Sequence, residues 1–332
     1  MAGGARSLAG LLTGVALLTA LTACGSSPQP GAETHRVVIP NGASFRAAAD
    51  SLASAGVIGS ATRFRLYARF RKEDRSIKPG TYEFAPGESW STIIDALNAG
   101  SAVHVSIAIP EGWELSRIVP LVAERLELPE DSILAVVQDT TYLSRLQIPI
   151  ASLEGYLFPA TYQFPLGTSA RQAVESMVTE FERRWRAEWD ELADSLEMTR
   201  HEIMTLASII EKEARVGDER TTISAVYHNR LRIGMALQAD PTVQYARGSH
   251  TTRVLYRDLE IDSPYNTYRH PGLPPGPIAS PGSASIEAAL MPADVNYMYF
   301  VARPDGRHEF RRTFEEHVAV AREMRRLRDS LE

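Results

Sequence analysis

Two carboxylates, Glu211 and Glu213, close an apolar helical segment that spans residues 206–214. Burial beside apolar groups disfavours the charged form of a carboxylate and raises its pKa. A carboxylic acid with a raised pKa is still protonated near neutral pH, which is what a general acid requires. Acids in the last turn of a helix also oppose the helix dipole, so their presence there costs stability. The pair is therefore a candidate catalytic site.

Helical geometry positions this pair without ranking its two members. Thr199 and Glu202 are spaced as a capping box, which predicts a helix over residues 200–214. At about 100° per residue, both acids flank one buried stripe on opposite sides. They therefore also fit a solvated Glu-Lys-Glu patch at a helix end, which is the ordinary location of charged residues. The predicted stripe contains Ile203, Leu206, Ala207, Ile210 and Ala214.

The chain that follows is rich in groups that bind sugars. Residues 223–234 predict a second amphipathic helix that ends at Gly234. Three long segments then combine Tyr, Asn, Gln and Thr with turn-forming residues: 237–243, 263–268 and 272–282. Aromatic rings stack on pyranose faces while amides and hydroxyls bind sugar hydroxyls, and such groups concentrate on loops held by a rigid scaffold.

Several motifs occur together and in a fixed order. They are ASIIEKE at 207–213, NRLRIGM at 229–235, LQADPTV at 237–243 and YNTY at 265–268, with EGYLFPATY at 154–162 upstream and GLPPG at 272–276 downstream. This combination resembles the MltG/YceG-like endolytic murein transglycosylases, from about Val37 to the C-terminus. By motif position, the resemblance makes Glu213 the catalytic acid, with Glu211 as the alternative.

The resemblance implies a reaction that needs one carboxylate. A lytic transglycosylase cleaves the β-1,4 bond between N-acetylmuramic acid (MurNAc) and N-acetylglucosamine (GlcNAc) in peptidoglycan strands without using water. The C6 hydroxyl of MurNAc attacks its own C1 and leaves a 1,6-anhydro end. Glu213 would donate a proton to the leaving oxygen and then take the proton of the C6 hydroxyl, whereas ordinary glycosidases use two acids. The expected role is to limit the length of nascent strands.

Five further residues are candidates for binding substrate or for orienting Glu213: Asn229, Gln238, Asp240, Tyr265 and Asn266. Turn formation explains some of them equally well, because Asp240 precedes a proline and Asn266 fits an Asx-turn. Two other functions stay open at this point. One is a non-catalytic murein-binding scaffold for cell-wall synthases, and the other is a hydrolase that pairs Glu213 with Asp240.

Metal and cofactor chemistry find little support in the sequence. The pair His201-Glu202 lacks the second histidine of a zinc-binding HExxH helix, because residue 205 is Thr. A single cysteine rules out a multi-cysteine zinc site and an internal disulfide. Phosphate-binding and nucleophile-elbow motifs do not occur. We expect no metal and no cofactor.

The first 35 residues predict membrane attachment. Arg6 precedes an apolar run over residues 8–23, which is 16 residues long where a spanning helix needs roughly 20. The run ends in Leu-Thr-Ala-Cys, and Cys24 is the sole cysteine of the chain. Residues 1–23 therefore resemble a lipoprotein signal peptide, with lipid on Cys24 and a linker over 24–35; an uncleaved membrane helix is the alternative. Either anchor places the protein on the extracytoplasmic face of the cell membrane.

Charge and pattern complete the expected architecture, an α+β protein with two domains. Without residues 1–23 the net charge is −7, which argues against binding of nucleic acid and against a strong anionic-lipid patch. A repeated Pro-turn-Gly element near residues 40, 86 and 110 follows a strand pattern and precedes a helix pattern each time. Residues 36–104 are expected to form a small domain, LysM-like in the resembled family, and residues 105–332 a larger mixed α+β catalytic domain.

Overall fold

The computed structural model describes residues 34–73, 77–248 and 255–329. These residues divide into two compact units: one extends to His104 and includes Pro165–Gly167, and the other comprises Val105–Phe164 and the chain from Thr168 onward. Both contain helices and strands, which confirms the α+β class. No helix in this described part is long and apolar enough to cross a membrane. The predicted signal peptide and Cys24 lie outside the described residues.

The first unit is a strand pair covered by three helices: β1 (His35–Ile39), α1 (Phe45–Ser54), α2 (Ala61–Arg71), β2 (Gly80–Phe84) and α3 (Trp90–Ala99). The strands pair antiparallel, with Val37 opposite Tyr82. Alternate strand residues enter one core with the inner faces of the helices. The LysM-like assignment of this unit stays a prediction.

The predicted strand-turn-helix repeat is confirmed. The turns after β1, β2 and the next strand each place a glycine in the left-handed region, with φ of 76° at Gly42, 78° at Gly87 and 71° at Gly112. Helix α2 was not predicted, because its apolar residues fit more than one helical face.

The second unit contains the remaining elements: β3 (His104–Ala108), α4 (Leu115–Leu126), α5 (Glu130–Val137), α6 (Thr140–Arg145), β4 (Thr161–Pro165), α7 (Ala170–Arg184), α8 (Ala187–Ser195), α9 (Arg200–Glu213), α10 (Arg220–Arg232), α11 (Asp240–Arg247), α12 (Ser283–Leu290), β5 (Tyr299–Ala302), β6 (His308–Arg311) and α13 (Phe314–Asp329). Strand β3 pairs with β4, and β5 with β6. The strand patterns at 297–301 and 308–310, separated by Pro304-Asp305-Gly306, predict a hairpin, and the antiparallel pairing of β5 with β6 confirms it.

The pattern of residues 169–196 predicts one continuous helix, and this prediction is wrong, because the helix is interrupted between α7 and α8. No glycine or proline marks the break. Trp185 is instead held in an extended conformation, its indole nitrogen donates to Asp190 at 2.7 Å, and its ring packs edge-on against Trp189. Trp189 is buried in the core and the Arg200 guanidinium lies 4.5 Å from the Trp185 ring centroid, so tertiary contacts of the two tryptophans override local helix propensity.

Helix α9 is the centre of the second unit. It begins at the predicted capping box, in which Thr199 and Glu202 exchange hydrogen bonds. All residues from Ile203 to Ile210 are buried, so the predicted single apolar stripe is wrong. Helices α8, α10, α11 and α12 all pack against α9. A helix enclosed on every side fixes its last turn rigidly.

We predict that Gly155→Ala destabilises the second unit by about 2 kcal/mol, the usual cost of overpacking plus strain at positive φ. Gly155 has φ of 83°, and an added Cβ would lie 2.3 Å from Pro277 Cβ. Urea unfolding measures the loss. Gly272→Ala is the control, since its φ of 88° is equally strained but no atom lies within 4 Å. Equal losses in both variants would show that contact with Pro277 is unimportant.

Candidate active site

The last turn of α9 directs three consecutive charged side chains to three different environments. Successive residues on a helix are rotated by about 100°, so Glu211, Lys212 and Glu213 cannot share one neighbourhood. Glu211 faces the start of α12, Lys212 faces the start of α4, and Glu213 faces α10 and α11. The structure thus separates the two acids that helical periodicity could not rank.

Glu213 has the properties of a general acid. Its pKa is raised to about 7, first by burial and second by the negative charge of Asp240, whereas the hydrogen bond from Tyr227 and the positive charge of Arg230 act in the opposite direction. The Tyr227 hydroxyl donates a hydrogen bond to Oε1 at 3.0 Å. Among the described residues the structure shows no hydrogen bond to the other oxygen, Oε2. That oxygen is available to exchange a proton with a substrate.

Tyr227 holds the Glu213 carboxyl in place. Its ring is fully buried on α10 and packs edge-on against Phe300. Burial raises the pKa of Tyr227 well above its ordinary value. The hydroxyl therefore keeps its proton and stays a hydrogen-bond donor across the physiological pH range.

We predict that Tyr227→Phe lowers kcat about tenfold and moves the pH profile upward. The variant keeps the buried ring but removes the bond that lowers the pKa of Glu213, so Glu213 holds its proton to higher pH. A pH profile of kcat/KM measures the shift. Tyr162→Phe, which removes a buried hydroxyl bonded to the Phe158 carbonyl, controls for general destabilisation. An unchanged profile in Tyr227→Phe would contradict the positioning role.

Glu211 is tied to the protein framework. One of its oxygens accepts from the backbone N–H of Gly282 at 3.1 Å, and the other lies 3.8 Å from Arg220. Gly282 is the N-cap residue of α12, so Glu211 satisfies the backbone N–H of that residue and places negative charge at the helix N-terminus. Glu111 lies beside this cluster, and its pKa is raised by burial and then by Glu211. This geometry gives Glu211 a structural role.

Lys212 pairs with a buried acid, Glu114, which lies near another buried acid, Glu154. Its ammonium lies 3.6 Å from Glu114. Nearby Glu154 accepts from the backbone N–H of Leu115 at 3.1 Å and from the Tyr245 hydroxyl at 3.4 Å. Burial raises the pKa of Glu154 to about 8. Because Leu115 opens α4 and Glu114 provides no side-chain cap, Glu154 serves as the capping acceptor of that helix.

Three of the five predicted binding residues have side chains on accessible surface. Asp240 and Gln238 are exposed, and Tyr265 is partly buried against Tyr245 at 4.8 Å between ring centroids. The Tyr268 hydroxyl donates to Asp240 at 2.6 Å, and the pKa of Tyr268 is raised first by burial and then by Asp240 and Glu213. Asp240 and Tyr268 therefore lie together beside Glu213.

Gln238 is conformationally unusual. Its φ of 49° lies in the left-handed region, which costs about 1 kcal/mol for a residue with a side chain. Its backbone N–H donates to the Thr267 carbonyl, and its neighbours Leu237 and Ala239 are buried. The strained backbone turns Gln238 outward next to Asp240.

The other two predicted binding residues hold backbone segments. Asn229 donates to the carbonyls of Val295 and Tyr297 at 2.8 and 3.0 Å. Asn266 is fully buried and donates to the carbonyls of Leu259 and Ile261, both at 2.9 Å. Substrate contact by either side chain has no support in this geometry. Each instead stabilises a loop of the second unit.

Tyr227, Tyr268 and Glu154 contribute to this region, although no sequence pattern identified them as candidates. Tyr227 and Tyr268 belong to segments recognised in the sequence, but a one-dimensional pattern does not tell which residue faces Glu213. Glu154 lies about 60 residues before Glu213 in the chain, and only folding brings it to the start of α4. In the part of the chain that the structure describes, no group of three or more His, Cys, Asp or Glu residues is arranged to hold a metal ion.

Known proteins are similar to this chain in sequence and in fold. A family model described as YceG-like matches residues 37–323. An endolytic murein transglycosylase of Bacillus subtilis (strain 168) is 36% identical over 300 residues, which cover 86% of this chain and 83% of that protein. One from Streptococcus pneumoniae serotype 2 is 30% identical, over 80% of this chain and 54% of that protein. A crystal structure of a YceG-like protein from Listeria monocytogenes has 35% identity and a TM-score of 0.60, and covers 87% of this chain and 99% of that one. The chain belongs to the YceG-like family.

Proposed function

We propose that this protein is an endolytic peptidoglycan lytic transglycosylase. It cleaves the MurNAc-GlcNAc β-1,4 bond within nascent strands, leaves 1,6-anhydroMurNAc ends and so limits strand length. The observation that carries the mechanism is Glu213, a carboxyl with a pKa of about 7 and one oxygen held by Tyr227. The activity agrees with the names of the Bacillus and Streptococcus relatives.

Glu213 acts twice in one turnover. Protonated Glu213 first gives its proton to the glycosidic oxygen as the C1–O bond of MurNAc breaks. The resulting carboxylate then takes the proton of the MurNAc C6 hydroxyl while that oxygen bonds to C1. The carboxyl ends each cycle protonated, and no water is consumed. A pKa near the working pH suits both steps, and such acid-base assistance is worth about 10² to 10⁴ in rate.

Neighbouring groups prepare Glu213 for these steps. The Tyr227 hydrogen bond directs Oε1 and stabilises the carboxylate that forms after the first proton transfer. Asp240 raises the pKa of Glu213 and places negative charge near the positive charge that develops at C1. Gln238 and Tyr265 are the remaining accessible candidates for contacts to the sugar rings.

The product ends test this proposal. The full-length chain in detergent micelles is incubated with un-crosslinked glycan strands, and the products are weighed by mass spectrometry. Lytic cleavage gives ends that are one water lighter than hydrolytic ends, and internal cutting shortens the strands before disaccharides accumulate. Hydrated reducing ends would identify a hydrolase that uses Glu213 with Asp240. No observation favours the non-catalytic scaffold, which would leave strands intact.

We also propose that the protein is anchored at the outer face of the cell membrane. Peptidoglycan lies outside the cytoplasmic membrane, so an anchor at residues 1–24, either lipid on Cys24 or an uncleaved helix, would hold the enzyme beside newly made strands. Labelling with a lipid precursor distinguishes the two, because Cys24→Ser abolishes label only if Cys24 carries the lipid.

We further propose that the first unit is LysM-like and binds glycan, and that cell-wall synthases are partners. Titration with GlcNAc oligomers tests the first and co-purification the second.

A further inference from the structure

Helix α2 of the first unit exposes two large apolar side chains. Leu66 is 71% exposed and Phe70 is 89% exposed, and they lie one helical turn apart on the same face. Phe64 and Ala68 on the opposite side of the helix are fully buried. The helix is therefore firmly packed, and its outer face is apolar without serving the core. Adjacent exposed apolar groups of this kind mark interaction surfaces.

The same face is basic. Residues 55–72 contain five Arg and Lys and no acid. Two of the five, Arg65 and Arg71, pair with acids at 3.2 and 3.0 Å. Arg63 and Arg69 flank the two apolar residues on the helix surface, are exposed, and form no ion pair with any residue that the structure describes. We define the α2 face as Arg63, Leu66, Arg69 and Phe70.

We propose that the α2 face binds the surface of an anionic phospholipid bilayer. Phe70 and Leu66 enter the boundary between headgroups and acyl chains, and Arg63 and Arg69 contact headgroup phosphates. Exposed aromatic and aliphatic groups flanked by arginine are the combination by which helices bind such surfaces in the plane of the membrane. Basic side chains add electrostatic attraction to anionic lipid.

The position of the predicted anchor favours a bilayer as the occupant. Cys24 precedes the start of β1 at His35 by 11 residues, which reach at most about 40 Å when extended. A short tether keeps the first unit at high effective concentration near the membrane. Net charge, which is −6 for the chain, averages over the whole surface. The net charge argues against a strong anionic-lipid patch over the protein as a whole, but it does not describe the local charge at α2.

Photocrosslinking of the full-length chain in vesicles tests the proposal. Phe70 is replaced by p-benzoylphenylalanine, and the protein is reconstituted in vesicles of phosphatidylcholine with about 30% phosphatidylglycerol, whose negative surface potential attracts basic side chains. Lipid adducts are counted by mass spectrometry. Val38 is the matched control site. It is 60% exposed, and it lies on the face of the β1–β2 pair that points away from the core against which α2 packs.

The expected result is at least tenfold more lipid adduct at position 70 than at position 38. Arg63→Glu with Arg69→Glu should lower the adduct at position 70 at least tenfold, as should vesicles without phosphatidylglycerol. Arg312→Glu, an exposed charge reversal in the second unit, should leave it unchanged. Equal adducts at both positions would overturn the proposal, as would adducts mainly to a second protein chain or to added glycan strands. Flotation of the same vesicles reports the anchor separately, so loss of the anchor is distinguishable from failure of the face.

Discussion

Glu213→Gln is expected to lower the rate of anhydro-end formation by about 10² to 10⁴, the usual contribution of a general acid and base. Glutamine keeps the size of the side chain and an oxygen that accepts from Tyr227. It cannot give a proton to the glycosidic oxygen or remove one from the C6 hydroxyl. Initial rates of anhydroMurNAc formation, measured by mass spectrometry on un-crosslinked strands, give the ratio.

Glu211→Gln is the matched control, because it removes the same charge two residues away in the same helical turn. Its oxygen can still accept from the N–H of Gly282, so we expect activity within about tenfold of the unchanged protein and a loss of stability of about 1 kcal/mol. If Glu211→Gln were the inactive variant and Glu213→Gln the active one, the assignment of the catalytic acid would be reversed.

Glu213→Gln is also expected to stabilise the fold above pH 7, by about 3 kcal/mol relative to the unchanged protein. The pKa of Glu213 is about 7 in the folded chain against 4.5 as the ordinary value. As pH rises from 4.5 to 7, the unfolded chain releases this proton while the folded chain retains it, so the free energy of unfolding falls. Above pH 7 the loss is complete. Glutamine resembles the protonated acid and avoids this loss.

Urea unfolding of both proteins between pH 4.5 and 8 measures this difference. The two free energies of unfolding should agree at pH 4.5 and diverge as pH rises to 7. Other groups that titrate in this range, including Glu154, are present in both proteins and cancel in the comparison. A variant that loses activity while gaining stability identifies a residue retained for function. A destabilised Glu213→Gln at pH 8 would show that the carboxylate serves the fold.

Local signals in the sequence determined much of the secondary structure. Pro-turn-Gly elements gave three strand-turn-helix units correctly, since a glycine at positive φ forces the turn wherever it occurs. The capping box at Thr199 marked the start of α9, and Thr313 with Glu316 has the same spacing and marks the start of α13, because capping uses residues three apart in the chain. The break after Arg184 could not be predicted, because it depends on tertiary contacts, namely burial of Trp189 in the core and packing of Arg200 on Trp185.

The ordered motifs identified the family and the reaction class by resemblance, because both depend on the types of residues and their order in the chain. The sequence also narrowed the catalytic acid to Glu211 or Glu213 by helical periodicity. It could not choose between them by periodicity, because both flank the same predicted stripe. Contacts made by other elements distinguish the two acids. The backbone N–H of Gly282 donates to Glu211, whereas the Tyr227 hydroxyl donates to Glu213 and the charge of Asp240 acts on it.

The composition of α2 can be read from the sequence, but which face of the helix packs against the core cannot. Phe64 with Ala68 and Leu66 with Phe70 both recur at helical spacing, so either pair could have faced the core. The core of the first unit accepts Phe64 and Ala68, which leaves Leu66 and Phe70 exposed. The sequence by itself determined most of the elements and the candidate acids, because these depend on residues close together in the chain, and it determined the family, because that depends on the order of the motifs. Only the tertiary structure showed that Glu211 accepts from the backbone of Gly282 while Glu213 keeps one oxygen free of hydrogen bonds among the described residues, and which face of α2 is exposed, because these depend on contacts between residues far apart in sequence.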